Sequence, residues 1–386
     1  MNAKRRPIPC TGTVFERAEY ERRQQRVLEA IERAGLDALF VTAISDLRYL
    51  TGYSGNGAYF APHPLILCPG REPTFVVRKF DEENVRAHSF VEDIVPYTQG
   101  YEYRTVCGDV LRRLNLHNKR VGMELGCWNL APADVTSLQA ELPDLKIVDA
   151  SKLVASIAAV KSEVEIQALR EAAILTDIGV DAFHKSLREG VTEVEVAAAI
   201  RTAIEAAGGE SSGGLNLVFG ERLRLPHAKP ANFPLGMNDA VFIELSGVVK
   251  DYCAPVCRSA VLGRNPGLES LCRVAEEAIE AAVETIKPGV TTGEVSAAIR
   301  GVVERGAHPE ALRSRTGYQV GVYWVDRAYL SIEPGAEDVM EADMSFHMPI
   351  ILFDEDGYQI GCSESVLVTE KGCEVLSRTP HTIYRA

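Results

Sequence analysis

This chain contains an internal repeat that limits the folds open to it. Gly190 to Glu205 reads GVTEVEVAAAIRTAIE and Gly289 to Glu304 reads GVTTGEVSAAIRGVVE, with ten of the sixteen positions identical. Each copy follows a long helical pattern and precedes a segment rich in strand-forming residues. We therefore expect one domain made of two related halves, each helix–helix–strands, with a site between their sheets.

The chain is too long for a single ordinary core, since it has 386 residues. The repeat lies within residues 158–386, which form the predicted second domain. Residues 1–157 show a different pattern, in which short apolar runs alternate with helical segments. This pattern predicts an α/β domain with a mixed sheet.

Capping and turn residues predict where individual helices and loops begin and end. A helix is expected over residues 15–34, with Thr13 near its start, and residues 45–55 (SDLRYLTGYSG) are expected to form a loop. Ser162 and Glu165 have the spacing of a capping box, which predicts the start of the long helix that enters the second domain.

Residues 238–264 (NDAVFIELSGVVKDYCAPVCRSAVLGR) indicate a pair of strands that turn at Lys250 and Asp251. Glu244 lies within the apolar part of the first strand. A buried carboxylate must be paired, hydrogen-bonded or protonated, so Glu244 is a candidate functional residue. The structural alternative is an ion pair with a neighbouring cation such as Arg258.

The net charge of −13 argues against nucleic acid and anionic membranes as partners, and it is compatible with a small cationic substrate. The basic N-terminus is not followed by an apolar run, so no secretory signal is expected. Nine scattered cysteines suit a reducing compartment, and the chain is predicted to be cytoplasmic. Cys253 and Cys257 are interpreted as packing residues rather than as a metal-binding pair.

Several segments together resemble the pita-bread superfamily of methionine aminopeptidase, prolidase, aminopeptidase P and creatinase. These segments are SDLRYLTGYSG, VKSEVEIQALREAA, LPHAKP, IKPGVTT, TGYQVG and SESVLVTEKGCEVL. The resemblance implies an α/β N-terminal domain followed by an α+β pita-bread domain with an internal pseudo-twofold repeat. It also implies a homodimer.

Metallopeptidases of this superfamily hold two metal ions with two Asp, one His and two Glu. The matching positions in this chain are Glu244, Pro255, Tyr318, Pro349 and Ser363. Hard divalent ions need several oxygen or nitrogen ligands, so no metal ion and no cofactor are expected.

Two metal-free branches of the superfamily, ectoine hydrolase and creatinase, are the nearest resemblances. The details that favour ectoine hydrolase are IELSG, DYCAP, GYQVG and MSFH. The resemblance implies a metal-independent hydrolase of a C–N bond in a small cyclic amidine or guanidino acid, acting by ring opening. The alternatives are a creatine-type amidinohydrolase, a non-catalytic binding module and a metalloenzyme with a rebuilt site.

Roles for individual residues follow from amidine chemistry. Glu244 is expected to act as nucleophile or base, and His227 as proton shuttle. Tyr318, His347 and Glu364 are expected to bind the substrate. The resemblance to dimeric creatinase-like proteins also implies that Tyr59 and His63, together with Tyr53, bind substrate by closing the site of a partner subunit.

Overall fold

The computed structural model describes residues 12–55, 57–99, 102–211, 215–322, 324 and 329–386. The N-terminal ten residues, on which the expectation of no secretory signal rests, lie outside this range. The chain divides into two compact units, Met1–Ala158 and Ala159–Ala386. In the described ranges, no helix combines the length and the apolar character needed to cross a membrane.

The first unit is a mixed sheet with helices packed on it. Its strand order is β4-β3-β2-β1-β5-β6, and β2 is antiparallel to both β1 and β3 while the other pairs are parallel. The strands are β1 (Ala38–Val41), β2 (Leu65–Leu67), β3 (Thr74–Arg78), β4 (Asp93–Tyr97), β5 (Arg120–Met123) and β6 (Lys146–Asp149). The helices are α1 (Arg17–Arg33), α2 (Ile44–Thr51), α3 (Gly57–Phe60), α4 (Glu82–His88), α5 (Glu102–Arg113), α6 (Pro132–Glu141) and α7 (Leu153–Ala159).

The expectation of a loop over residues 45–55 was wrong, because Ile44–Thr51 forms helix α2. The Glu124 carboxylate accepts hydrogen bonds from the backbone N–H groups of Thr42 and Ala43, at 2.5 and 2.7 Å, beside the start of this helix. Gly52, with φ of 80°, ends it. The stabilising acceptor lies 82 residues away in the sequence, so no local pattern announces it.

The second unit carries the two halves of the repeat. Its helices are α8 (Glu163–Ser186), α9 (Glu193–Ala206), α10 (Pro266–Thr285) and α11 (Thr292–Gly306). Its strands are β7 (Glu210–Ser211), β8 (Asn216–Phe219), β9 (Ala240–Leu245), β10 (Gly247–Val249), β11 (Tyr252–Cys253), β12 (Val256–Val261), β13 (Gly317–Gln319), β14 (Ser331–Ile332), β15 (Ser345–Phe353), β16 (Gln359–Val368), β17 (Cys373–Val375) and β18 (Tyr384–Arg385).

Corresponding helices of the two halves begin in the same way. Capping boxes start α9 at Thr192 and α11 at Thr291, and each threonine accepts a hydrogen bond from the backbone of the third helical residue. The glycines that open the two repeats have φ of 80° and 90°. Ser162 and Glu165 form the predicted capping box of α8. The repeated residues therefore specify the same turn into a helix twice.

The strand pair expected over residues 238–264 is present, but each strand is divided in two, so that β10 and β11 belong to a three-stranded sheet with β7. Lys250 and Asp251, with φ of 51° and 69°, turn β10 into β11, and β9 pairs antiparallel with β12. Positive φ at both central residues is typical of the tight hairpin turn whose twist matches the strands. Pro255 lies between β11 and β12, outside the ladder, where its missing N–H has no ladder bond to lose.

Two sheets of this unit meet along β12 and β16. One has the order β18-β12-β9-β8 and the other β14-β13-β15-β16-β17. Serine hydroxyls join the two strands: Ser363 accepts from the Cys257 N–H at 2.5 Å, Ser259 donates to Gly361 O at 2.5 Å, and Ser365 donates to Pro255 O at 2.7 Å. This seam brings residues about a hundred positions apart into direct contact.

Candidate active site

Three polar side chains form one row across the first of these sheets. Glu244 on β9 lies in register with Asn216 on β8 and with Cys257 on β12. Side chains directly opposite each other on paired strands share a face of the sheet. All three are buried, and the Asn216 Oδ1 has no hydrogen-bond partner among the described residues.

A second group of polar side chains lies on the other sheet. Tyr318 on β13 is directly opposite His347 on β15, and the tyrosine hydroxyl is 3.0 Å from the Nδ1 of His347. The Nε2 of His347 is 2.7 Å from the Ser363 hydroxyl, and the Trp324 indole N–H donates to the Tyr318 oxygen at 3.2 Å. Both ring nitrogens of His347 are therefore hydrogen-bonded, which fixes the ring.

The seam between β12 and β16 joins the two groups. A carboxylate oxygen of Glu244, the Cys257 sulfur and a ring nitrogen of His347 all lie within 4.8 Å of one another. We call Glu244, Cys257 and His347 the buried triad. It combines an acid, a thiol and an imidazole in a space lined by the Tyr318 and Ser363 hydroxyls.

Burial dominates the electrostatics of the triad. It raises the pKa of Glu244 to about 7, although the contact with Cys257 acts in the opposite direction. It lowers the pKa of His347 to about 3, with a smaller contribution from the positive charge of Arg258, so the imidazole is neutral near pH 7. Burial also raises the pKa of the Cys257 thiol. In the described parts of the chain, no lysine or arginine forms an ion pair with Glu244.

Arg258 pairs with a different carboxylate, so the structural alternative for Glu244 was wrong. Its guanidinium donates to Glu364 at 2.9 Å, and both side chains are 1% exposed. Ser377 and His381 complete the contacts of Glu364, at 2.6 and 3.2 Å. Adjacent strand residues point to opposite faces, so Glu364 points away from the face where Ser363 meets the triad. The structure therefore places Glu364 in a structural ion pair rather than among the groups expected to bind substrate.

His227 is not joined to the triad. It lies in an exposed loop after the 3₁₀ helix Gly220–Arg224, with φ of 58°. Within the described residues, no hydrogen bond or ion pair connects it to Glu244.

The candidates in the first unit occupy two kinds of environment. Tyr59 is 59% exposed, whereas His63 is buried, with its Nε2 3.5 Å from a carboxylate oxygen of Asp81. Burial lowers the pKa of His63 to about 4, so its ring is neutral near pH 7. Tyr53 is also buried.

Asn216, Cys257 and Ser363 enter the site although their side chains carried no role in the sequence analysis. Cys253 pairs with Val248 on a different sheet, so Cys253 and Cys257 do not form a metal-binding pair, and Cys257 packs in a buried apolar cluster as expected. What the packing interpretation missed is that the Cys257 sulfur also lies beside Glu244 and His347. The usable signal was strand register, because a hairpin turn at Lys250 and Asp251 already places Cys257 opposite Glu244. Nothing local identifies Asn216 or Ser363.

The five positions that match the superfamily's metal ligands do not suit a pair of hard ions here. Pro255 and Pro349 offer no side-chain donor atom. The Ser363 oxygen is held by Cys257 and His347, and the Tyr318 oxygen by Trp324 and His347. Only Glu244 provides a carboxylate, whereas such ions require several oxygen ligands each.

Comparison with known proteins gives the same architecture. Residues 167–370 match the model of metallopeptidase family M24, and residues 23–160 match the Creatinase/Prolidase N-terminal domain. Dipeptidase PepE from Mycobacterium ulcerans superposes with a TM-score of 0.85 over 96% of this chain and 99% of that chain, at 24% identity. The Xaa-Pro dipeptidase from Bacillus anthracis superposes with a TM-score of 0.80 over 95% of this chain and 100% of that chain, at 21% identity.

Two relatives align over nearly their whole length. An uncharacterised hydrolase/peptidase of Sinorhizobium fredii, y4tM, is 31% identical over 96% of this chain and 98% of its own. The ectoine hydrolase of Halomonas elongata is 28% identical over the same shares of the two chains. The chain is therefore a hydrolase of metallopeptidase family M24, with a Creatinase/Prolidase N-terminal domain and a pita-bread C-terminal domain.

Proposed function

We propose that this protein is a metal-independent hydrolase that opens the ring of a small cyclic amidine by breaking a C–N bond. The observation that carries this proposal is the buried Glu244 carboxyl group, which has no cationic partner in the described chain and a pKa near 7. A cation held beside it would restore its charge, because an opposite charge nearby favours the ionised form. The name of the Halomonas relative, ectoine hydrolase, supports the same class of substrate.

The hydrogen-bond acceptors around Glu244 favour an amidinium as the cation that binds beside it. The Asn216 Oδ1 lies in register beside Glu244 and lacks a donor among the described residues. An amidinium offers several N–H donors around a planar, positively charged carbon. Such a group would satisfy both buried acceptors, and unsatisfied buried acceptors are costly. The net charge of −13 also favours the approach of a cationic substrate.

The reaction consumes one water molecule. Glu244 either removes a proton from the attacking water or attacks the amidinium carbon itself; in the second route water later attacks the same carbon and breaks its bond to the Glu244 oxygen. The C–N bond then breaks, the carbon keeps the oxygen of water as an amide carbonyl, and the leaving nitrogen departs protonated as an amine. We propose that Tyr318 donates a hydrogen bond to the developing tetrahedral centre, and that the exposed His227 exchanges protons with solvent.

The direct test is incubation of the purified protein with cyclic amidines, including ectoine, before and after removal of metal ions with EDTA. We expect a product heavier than the substrate by one water, formed at least as fast after metal removal as before it. Mass spectrometry of the small molecules and of the intact protein measures turnover and detects any adduct on Glu244.

Parallel reactions separate the alternatives. Release of urea from a guanidino acid would indicate a creatine-type amidinohydrolase, and cleavage of an Xaa-Pro dipeptide would indicate a peptidase. Activity that disappears with EDTA and returns with added metal would contradict metal independence. Absence of turnover on every substrate would favour a non-catalytic module.

Replacing Tyr318 by phenylalanine is expected to lower kcat about 100-fold, because one preorganised donor to the reacting centre is lost. The variant Tyr252→Phe is a matched control, since it also removes a buried hydroxyl, which donates to Glu165 at 2.6 Å. The control is expected to keep most of its kcat. Steady-state kinetics of both variants measure the difference, and equal losses would argue against the role of Tyr318.

A further inference from the structure

The buried triad contains the three donor types that suit a thiophilic metal ion. We propose that Glu244, Cys257 and His347 bind one divalent cation of the zinc class, and that this ion inhibits the enzyme by ligating the carboxylate that acts on substrate. The inference rests on the proposed function for its inhibitory consequence, but the binding site itself does not depend on that function.

Donor chemistry selects the class of ion. A thiolate, an imidazole and a carboxylate are the ligands found around Zn²⁺, which accepts sulfur, nitrogen and oxygen in tetrahedral geometry. Mg²⁺, Ca²⁺ and Mn²⁺ prefer oxygen ligands, of which the triad supplies one side chain. The proposed site therefore differs from the two-ion site of the superfamily's metallopeptidases in two ways: it holds one ion, and that ion is softer than Mg²⁺, Ca²⁺ or Mn²⁺.

The positions of the donor atoms are close to what coordination requires. The three ligand atoms lie within 4.8 Å of one another on β9, β12 and β15. Bond lengths of about 2.0–2.3 Å to a tetrahedral zinc ion imply ligand atoms about 3.3–3.8 Å apart. The 4.8 Å limit exceeds this spacing by at most about 1.0–1.5 Å, so movements of about 1 Å or less in each side chain bring the donors together.

Neighbouring groups hold two of the donors in place. When one ring nitrogen of His347 ligates, the other keeps its hydrogen bond, either to Tyr318 or to Ser363. The backbone of Cys257 is fixed on both sides, since its N–H donates to Ser363 and its carbonyl accepts from Arg258 at 2.9 Å. Such supporting hydrogen bonds orient metal ligands and raise affinity.

Ion and substrate exclude each other in this arrangement. Binding replaces the thiol proton with a metal–sulfur bond and also displaces any proton on the Glu244 carboxyl group, so at least one proton leaves for each ion bound. The same ion occupies the Glu244 oxygen on which the proposed hydrolysis depends. Loading is therefore expected to inhibit, and substrate is expected to weaken metal binding by competition.

Cobalt is the probe for the site, because a Co²⁺–thiolate bond absorbs in the near ultraviolet. The protein is stripped with EDTA, dialysed and titrated with Co²⁺. We expect one equivalent to bind, with a thiolate charge-transfer band that disappears in Cys257→Ser. Cys107→Ser, which changes a buried cysteine of the first unit, is expected to keep the band.

A second variant tests the site independently, in case Cys257→Ser does not fold. His347→Gln keeps the thiol and removes the imidazole, so we expect the band to remain with affinity reduced at least about tenfold. Near-ultraviolet circular dichroism checks that each variant is folded. Substoichiometric binding, or a band that persists in Cys257→Ser, overturns the proposed site.

Activity assays on the same samples test the inhibitory role. Amidine turnover that falls in proportion to bound cobalt, and recovers with EDTA, supports inhibition. Turnover that appears only after loading overturns it. If no amidine reacts in either state, the proposed function fails, and the cobalt titration still decides whether the metal site exists.

Discussion

Replacing Glu244 by glutamine is expected to abolish turnover and, at the same time, to stabilise the folded protein above pH 7. Glutamine keeps the size of the side chain but cannot act as nucleophile or base, so we expect kcat to fall about 10³-fold or more. Steady-state kinetics with a cyclic amidine that the incubation shows to be a substrate measure the loss. Full activity in this variant would rule out the proposed role of Glu244.

The gain in stability follows from the direction of the pKa shift. Burial raises the pKa of Glu244 from 4.5 to about 7, so the folded state binds its proton more tightly than the unfolded state does. Wild-type stability therefore decreases as the pH rises from about 4.5 through about 7, by up to about 3 kcal/mol. Glutamine cannot ionise, so the free energy of unfolding of the variant does not decrease in this way as the pH rises.

Urea unfolding of both proteins at pH 4.5 and pH 8 measures the effect. The difference in unfolding free energy, variant minus wild type, should be more positive at pH 8 than at pH 4.5. Glu294→Gln is the control with the opposite sign, because the backbone N–H and the hydroxyl of Thr291 both donate to Glu294, lower its pKa and favour the charged form that stabilises the helix start. A difference for Glu244→Gln that does not change with pH would show that the carboxyl group is not desolvated.

Replacing Arg258 by methionine is expected to destabilise the second unit by about 3–5 kcal/mol, because removal of one partner leaves the buried Glu364 carboxylate without its cation. Arg258 also donates to the carbonyl groups of Ser363 and Thr379, at 2.6 and 2.8 Å. Both losses weaken the contact between β12 and β16. Urea unfolding followed by circular dichroism measures the change.

Arg170→Met is the matched control, since Arg170 pairs with Glu374 at 2.6 Å with 47% and 36% of the two side chains exposed. An exposed pair contributes at most about 1 kcal/mol. The double variant Arg258→Met with Glu364→Leu should recover part of the loss, because an apolar pair avoids the unpaired charge. Equal effects of the two single variants would contradict the importance of burial.

The Arg258–Glu364 ion pair lies next to the candidate active site as well as stabilising the fold. Arg258 lies next to Cys257 on β12, and Glu364 lies next to Ser363 on β16. Because neighbouring strand residues face opposite ways, the ion pair occupies one face of the seam while Cys257 and Ser363 meet on the other. The pair thus holds the two strands together directly behind the buried triad.

Much of the architecture was predictable from residue patterns. The repeated GVT segments and the serine and threonine capping boxes specify helix starts through bonds within four residues. The turn at Lys250 and Asp251 and the apolar run around Glu244 specify the hairpin in the same local way. Such signals are readable because each depends on neighbours along the chain.

The composition of the site was decided by tertiary contacts. Cys257, His347 and Ser363 meet because two sheets join along β12 and β16, and serine hydroxyls bridge positions about a hundred residues apart. The start of helix α2 likewise lies beside a remote group, since the Glu124 carboxylate accepts from the Thr42 N–H across 82 residues.

The surroundings of Glu244 were determined partly by the sequence alone and partly by tertiary contacts. Its position in an apolar strand already predicted a buried carboxylate in need of a partner. The hairpin register already places the Cys257 thiol opposite Glu244 and turns Arg258 to the other face. Only the folded chain decided that Arg258 pairs with Glu364 and that the neutral His347 imidazole lies beside Glu244. The physical reason is that register depends on neighbours along the chain, whereas Glu364 and His347 belong to strands of the second sheet.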